Sequence, residues 1–189
     1  VSCWSTLLNR LRTLLAFLQD RFFMEHCGSI NSITSFDKPI LKKGYYPELD
    51  GLYNDYEKRE KQLKTIWMFF ERQMSPTSKL GEYVKHVVTD KTNNHSLQMT
   101  IKRCETLAQK IKTQKGNEVI LENDVNFKWS EVTFASCATK TQKEIHFPLC
   151  HKICSSLSQF QGQLNQLTQE LFLNILREIE NEHIDIIEE

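Results

Sequence analysis

The chain has 189 residues, of which 40% are apolar and 25% are charged, a composition typical of a globular domain and unlike that of a disordered chain. No apolar run approaches the ~18 residues of a membrane span, so the sequence predicts no transmembrane helix. The formal net charge is zero, yet residues 79–143 carry +4 and residues 144–189 carry −6. We therefore expect the middle of the chain, and not its acidic end, to face any polyanion.

The first predicted element is an amphipathic helix from Trp4 to about His26, in which leucines recur at spacings of three and four residues. Gly28 is suited to a left-handed conformation that would end this helix. Residues 29–44 are rich in Ser, Asn, Asp and Gly, and the sequence predicts a connecting loop there.

A second, longer helix is predicted over residues 47–74. Pro47 fits the first helical turn, where its missing N–H has no hydrogen-bonding partner to lose. Apolar residues from Leu49 to Phe70 follow nearly a heptad spacing, which favours packing along another long helix. The helix would be a rod of roughly 40 Å, and Ser75-Pro76 would end it.

The periodicity then changes to that of a small antiparallel sheet. Four short strands are predicted, at residues 83–88, 97–101, 118–121 and 127–134. Residues 102–112 between them fit a short helix or an irregular arm. Helical spacing returns near Leu149 and continues to about residue 180, with Gly162 as the one weak position.

We predict that the helices at 47–74 and 149–180 pair antiparallel and carry the sheet at their far end. The alternative is a compact helical bundle in which the middle segment is an excursion on the surface. The basic and amide side chains of the sheet segment are suited to phosphate contacts, which position a protein on DNA without reading its sequence. A solvated lysine-rich surface is the alternative interpretation of those side chains.

The sequence contains no recognisable catalytic or cofactor motif. Neither a phosphate-binding loop nor a dinucleotide-binding fingerprint is present, so we expect no enzyme activity and no cofactor. His146, Cys150, His151 and Cys154 come closest to a metal site, but one helix cannot direct all four ligands to a tetrahedral ion. Buried reduced cysteines explain this cluster better, and we expect no metal.

The six cysteines are even in number, which leaves disulfide bonds open. Their scatter along the chain, with no dense cluster, is more typical of reduced thiols in an intracellular protein. The sequence does not distinguish a nuclear, organellar, bacterial or viral location. The cysteines are Cys3, Cys27, Cys104, Cys137, Cys150 and Cys154.

Three segments resemble the middle of MutS mismatch-repair proteins. Residues 43–52, Lys-Gly-Tyr-Tyr-Pro-Glu-Leu-Asp-Gly-Leu, resemble the G-x-x-P-E-L-D signature that opens the outgoing lever helix of that family. Residues 95–103 are similar to the clamp segment G-Y-x-L-x-V/T-T-K-x-R. Residues 134–145 resemble the passage into the returning helix. The chain departs from the family where Asn94-His95 stands for the usual Gly-Tyr of the clamp.

The resemblance implies an α+β fold, mostly α, with long antiparallel lever helices carrying a small antiparallel β clamp at the tip. The segments would be a core helix and loop (1–46), an outgoing lever helix (47–78), the β clamp (79–146) and a returning lever helix (147–189). The mismatch-reading and ATPase domains of the family are not in this sequence. The resemblance implies two partners for this chain, double-stranded DNA and the ATPase domain of the same parent protein. The parent protein would be a dimer, and no association with a membrane is expected.

The function implied is non-sequence-specific binding of the duplex backbone, coupled to an ATPase outside this chain, in mismatch repair or DNA-structure recognition. The expected DNA-binding residues are Lys91, Asn93, Asn94, Lys102 and Arg103, followed by Lys110, Lys112 and Lys115. Two other classes remain open: a coiled-coil adaptor that does not bind DNA, and a secreted helical ligand with disulfide bonds.

Overall fold

The computed structural model describes residues 3–28, 30–33, 35–36, 38–89, 93–114 and 116–187. The fold is mostly helical and contains a small antiparallel sheet. In chain order the elements are α1 (Cys3–Arg21), α2 (Met24–Cys27), α3 (Pro47–Met74), β1 (Lys85–Thr89), β2 (Asn94–Thr100), α4 (Ile101–Gln114), β3 (Glu118–Leu121), β4 (Val125–Lys128), a 3-10 turn (Trp129–Glu131), β5 (Thr133–Ser136), β6 (Gln142–His146) and α5 (Pro148–Ile187).

The chain divides into two compact units. Unit 1 comprises residues 1–53 and 162–189, and unit 2 comprises residues 54–161. Helices α3 and α5 each contribute residues to both units. The predicted helices at 47–74 and 149–180 are confirmed as helices, and α5 extends to Ile187. Their pairing as an antiparallel lever with the sheet at its tip stays a prediction, as does the division into four segments.

Unit 1 corrects the prediction of one continuous helix from Trp4 to His26. Phe22 interrupts it, because this residue forms an antiparallel bridge with Leu41. The N–H of Phe23 donates to the carbonyl of Ile40 at 2.9 Å, and both bridge residues are buried. The expected left-handed cap at Gly28 is also wrong, since its φ of −67° is right-handed. The break leaves its backbone groups satisfied, because the N–H of Lys42 also donates to the carbonyl of Arg21 at 2.8 Å, and the bridge buries apolar side chains.

Unit 2 contains a four-stranded antiparallel sheet in the order β1-β2-β6-β5, and β3 pairs with β4 as a separate antiparallel hairpin. Registers are fixed by pairs such as Val87↔Ser96 and Met99↔Lys143. The buried core of this unit unites the four-stranded sheet, the β3–β4 hairpin, α4 and parts of α3 and α5. Its largest fully buried side chains include Phe70 of α3 and Phe147 before α5.

Three details of the predicted strands are corrected in unit 2. The predicted strand at 127–134 is two strands separated by the turn at Trp129–Glu131, where the Lys128 N–H donates to the Glu131 carboxylate at 3.2 Å. The predicted strand at 97–101 starts earlier, at Asn94, and Ile101 already belongs to α4. Strand β6 was not predicted at all. Residues 102–112 are helical, the first of the two predicted alternatives.

Candidate nucleic-acid interface

The expected DNA-binding amides lie where the chain enters β2. Asn93 has a left-handed φ of 49°, and its N–H donates to the Thr89 carbonyl at 2.8 Å. Its own carbonyl accepts a hydrogen bond from the Ser158 hydroxyl of α5 at 2.7 Å. Asn94 follows as the first, exposed residue of β2. The end of this connection is therefore anchored to α5, while Lys91 lies outside the described residues.

The second predicted group lies on α4, where some of its side chains are exposed and others form hydrogen bonds within unit 2. Lys102 and Lys112 are exposed. The Arg103 guanidinium donates to the carbonyls of Glu82 at 3.3 Å and Tyr83 at 3.0 Å and lies 4.9 Å from the centre of the Tyr83 ring. Arg103 therefore holds the segment before β1, and only a part of its donor capacity is left for a phosphate.

Lys110 is also engaged within the unit, because its Nζ donates to the Gln73 carbonyl near the end of α3. Lys115 lies outside the residues that the structure describes. Asn94 and the start of α4 lie at opposite ends of β2, a strand of seven residues, and are therefore separated by about 20 Å. Lys102 and Arg103, in the first turn of α4, thus do not form one cluster with Asn94.

Three further cations lie on α3, and sequence reasoning did not find them. Lys61, Lys64 and Arg72 line a cavity of about 850 Å³ between α3 and the β3–β4 hairpin, which we call the α3–hairpin groove. Their spacing of three and eight residues places them on one helix face, together with Met68. That spacing is the signal that could have identified them. The apolar seam of the same helix, which predicts a packing surface, lies on the opposite face.

The charges of the two units differ in sign. Unit 2 contains 17 basic and 12 acidic residues, a net +5, whereas unit 1 contains 7 and 12, a net −5. Within the described ranges the structure gives a single ion pair, between Arg21 and Glu178 of unit 1 at 2.9 Å. Among the described residues of unit 2, no lysine or arginine has a carboxylate at ion-pair distance, and a polyanion would meet the net positive charge of the unit.

A pair of histidines lies against α3 in unit 2. His86 Nε2 and His95 Nδ1 are 3.0 Å apart and share a hydrogen bond, and the His86 ring lies 5.5 Å from the ring of Trp67. Burial, aided by the neighbouring His86, lowers the pKa of His95 to about 4. Burial also lowers the pKa of His86, although Glu60 opposes the shift. Both rings are neutral at pH 7 and add no charge to the surface.

The cysteines are free thiols at the five positions whose side chains are described: Cys27, Cys104, Cys137, Cys150 and Cys154. Burial raises the pKa of the Cys104 thiol to about 11, so it stays protonated at neutral pH. The described side chains contain no group of three His, Cys, Asp or Glu residues placed to hold a metal ion. No described helix is both long enough and apolar enough to cross a bilayer.

Comparison with known proteins found no family model and no curated protein that matches this chain.

Proposed function

We propose that this chain binds duplex DNA without sequence specificity, as the lever-and-clamp part of a MutS-like protein. The observation that carries the proposal is the charge of unit 2, a net +5 whose described cations are not paired with carboxylates. The order of elements along the chain supports the proposal too. Two helices of 28 and 40 residues flank an antiparallel sheet segment, as expected from the resemblance of the Gly44–Asp50 segment to the signature that opens the MutS lever helix.

Phosphate oxygens would accept hydrogen bonds from the exposed lysines of α4 and from the amides at the start of β2. Lys102 and Lys112 provide exposed cationic donors, and Asn94 provides a neutral one. Contacts of this kind fix the position of a duplex but carry no sequence information, so random duplexes should bind alike. In the parent protein α3 and α5 would couple this grip to an ATPase domain outside the chain.

The test compares two double charge reversals by fluorescence anisotropy on a random duplex of about 30 base pairs at low salt. Lys102→Glu/Lys112→Glu alters the proposed surface, and Arg10→Glu/Arg12→Glu is the matched control on exposed positions of α1 in unit 1. We expect the first variant to weaken binding by roughly tenfold or more and the control by less than about threefold. Equal losses in both variants, or no binding by the unaltered chain, would refute the proposal.

A second candidate function is suggested by α1. Its residues Trp4, Leu8, Leu11 and Leu15 are exposed, Trp4 by 78%, and they follow the alternating four- and three-residue spacing of a coiled-coil seam. A helical adaptor would cover this seam with a partner helix. If the chain is such an adaptor, it should associate with itself or with a partner, and Leu8→Lys/Leu15→Lys should abolish that association as measured by light scattering. The chain should then not bind DNA.

A further inference from the structure

The α3–hairpin groove combines an apolar floor with a cationic wall. Met68, Phe69 and Leu121 are half-buried along it, and Ile120 of β3 is 77% exposed at its edge. A β-branched apolar side chain exposed to this extent beside a cavity forfeits the free energy of burial until another surface covers it. The groove therefore offers apolar area that nothing in the described part of unit 2 covers.

The groove is preformed, because hydrogen bonds and rings fix its two sides. At one end, the Asn123 side-chain amide donates to the Thr65 hydroxyl at 2.8 Å, and the Gln62 amide donates to the Asn123 carbonyl at 2.9 Å. Beneath the floor, the Phe69 ring lies 5.7 Å from that of Phe127 and 5.3 Å from that of Trp129. A partner would thus bind without first having to order the site.

The charges on the α3 wall are spaced for recognition. Lys64 and Arg72 are eight residues apart on the helix and therefore separated by about 12 Å along its axis. Lys61 adds a cation one turn before Lys64, and Glu122 on the hairpin side is the one carboxylate among the described residues that line the groove. Positive charge is thus concentrated along one side of the apolar floor.

We propose that the α3–hairpin groove is a docking site for an acidic amphipathic helix of a partner protein. An apolar side chain of that helix would cover Phe69, Leu121 and Ile120, and two carboxylates about two turns apart would face Lys64 and Arg72. A DNA duplex would satisfy the cations but offers no apolar side chain for the floor. The inference stands apart from the DNA-binding function, since it uses different residues of unit 2.

The probe is a fluorescein-labelled, alanine-based helical peptide with two Glu residues seven positions apart and two Leu residues midway between them. A second peptide carries Lys in place of both Glu residues. Binding to the full chain is measured by anisotropy at near-physiological salt. The variants are Lys64→Glu/Arg72→Glu for the cationic wall, Ile120→Ser for the apolar edge, and Lys140→Glu/Lys152→Glu as a matched control at exposed positions of unit 2 outside the groove. Circular dichroism verifies that each variant is folded.

We expect the Glu peptide to bind the unaltered chain and the control, and to bind Lys64→Glu/Arg72→Glu at least about tenfold more weakly. The Lys peptide should show the reverse preference, and Ile120→Ser should weaken both peptides. Three results would overturn the proposal: equal binding of the two peptides, no binding at about millimolar peptide, or displacement by a duplex whose own affinity falls in Lys64→Glu/Arg72→Glu. The last result would assign the groove to the DNA surface.

Discussion

At the scale of single residues, both the backbone N–H and the backbone carbonyl of Val84 form hydrogen bonds with side chains of α3. The buried carboxylate of Glu71 accepts hydrogen bonds from the N–H groups of Tyr83 at 2.5 Å and Val84 at 2.9 Å. The indole N–H of Trp67, one turn earlier, donates to the Val84 carbonyl at 2.7 Å. Two side chains of one helix thus fix the chain immediately before β1 and position the first strand of the sheet.

Replacing Glu71 should therefore be costly. Glu71→Ala leaves two backbone N–H groups without their acceptor, and we expect the free energy of unfolding to fall by about 2–4 kcal/mol. Glu71→Gln keeps one acceptor oxygen and should cost less. The measurement is urea denaturation, with Glu105→Ala on the exposed face of α4 as a control that changes stability by less than about 0.5 kcal/mol. A Glu71→Ala loss no larger than that of the control would contradict this role.

The His86–His95 pair predicts a dependence of stability on pH. Because the folded state lowers the pKa of His95 from 6.5 to about 4, the unfolded chain binds more protons between these values. The contribution of His95 to the free energy of unfolding is therefore fully present above pH 6.5 and is lost as the pH falls towards 4. The lowered pKa of His86 acts in the same direction, while Glu60 moderates it.

Between pH 6.5 and pH 5, we expect the free energy of unfolding to fall by up to about 2 kcal/mol through His95 alone. Denaturation of the unaltered chain and of His95→Gln at a series of pH values measures this difference. The variant should be less stable at pH 7, because it loses the imidazole packing, but its stability should depend less on pH in that window. Parallel pH profiles for the two proteins would contradict the lowered pKa.

At the scale of elements, the β3–β4 hairpin depends on its turn. Asn123 and Asp124 have φ values of 60° and 58°, the two left-handed positions of a type I′ turn. Asn and Asp tolerate this conformation, and glycine at the second position is preferred. Asp124→Gly should therefore raise the free energy of unfolding by about 0.5–1 kcal/mol, and Asp124→Val should lower it by a similar amount or more. Thermal denaturation ranks the stabilities of the two variants and the unaltered chain. A stabilising effect of Asp124→Val would contradict the left-handed conformation of Asp124.

The two long helices each contain an interior glycine that no packing contact requires. A Cβ added at Gly51 of α3 or Gly162 of α5 would meet no atom within 4 Å. Gly51→Ala and Gly162→Ala should each stabilise the fold by about 0.5–1 kcal/mol, since alanine is the better helix former. Urea denaturation of the single and double variants tests this, and additive gains are expected for sites on different helices. A loss at Gly162 would mean that this position needs the glycine for another reason.

Local patterns explain which elements could be predicted. The bounds of α3 follow from Pro47, from the apolar spacing and from Ser75-Pro76, all of which are local signals. The break after Arg21 could not be predicted, because Phe22 continues the apolar spacing of α1 and only its pairing with the distant Leu41 interrupts the helix. Strand β6 has a single buried residue, Ile145, so it carries almost no strand pattern of its own and owes its conformation to β2 and β5.

At the scale of the whole molecule, charge is the property that divides the chain. The sequence reveals a basic middle of +4 and an acidic end of −6, and the division into units gives +5 and −5, because residues 54–78, which include most of α3, join unit 2. The cations of the α3–hairpin groove could not be assigned to a site from sequence, since the β3–β4 hairpin that faces them lies far along the chain. Arg103 was expected at DNA, yet tertiary contacts with Tyr83 engage it within the unit.

The salt dependence of DNA affinity tests the central claim most directly. For the unaltered chain on a random duplex, we predict that the logarithm of affinity falls linearly with the logarithm of salt concentration, by about 0.9 for each phosphate neutralised. In Lys102→Glu/Lys112→Glu that slope should become shallower by about 2, whereas Arg10→Glu/Arg12→Glu should leave it unchanged. An affinity that does not change with salt, or the absence of any binding at low salt, would contradict the account.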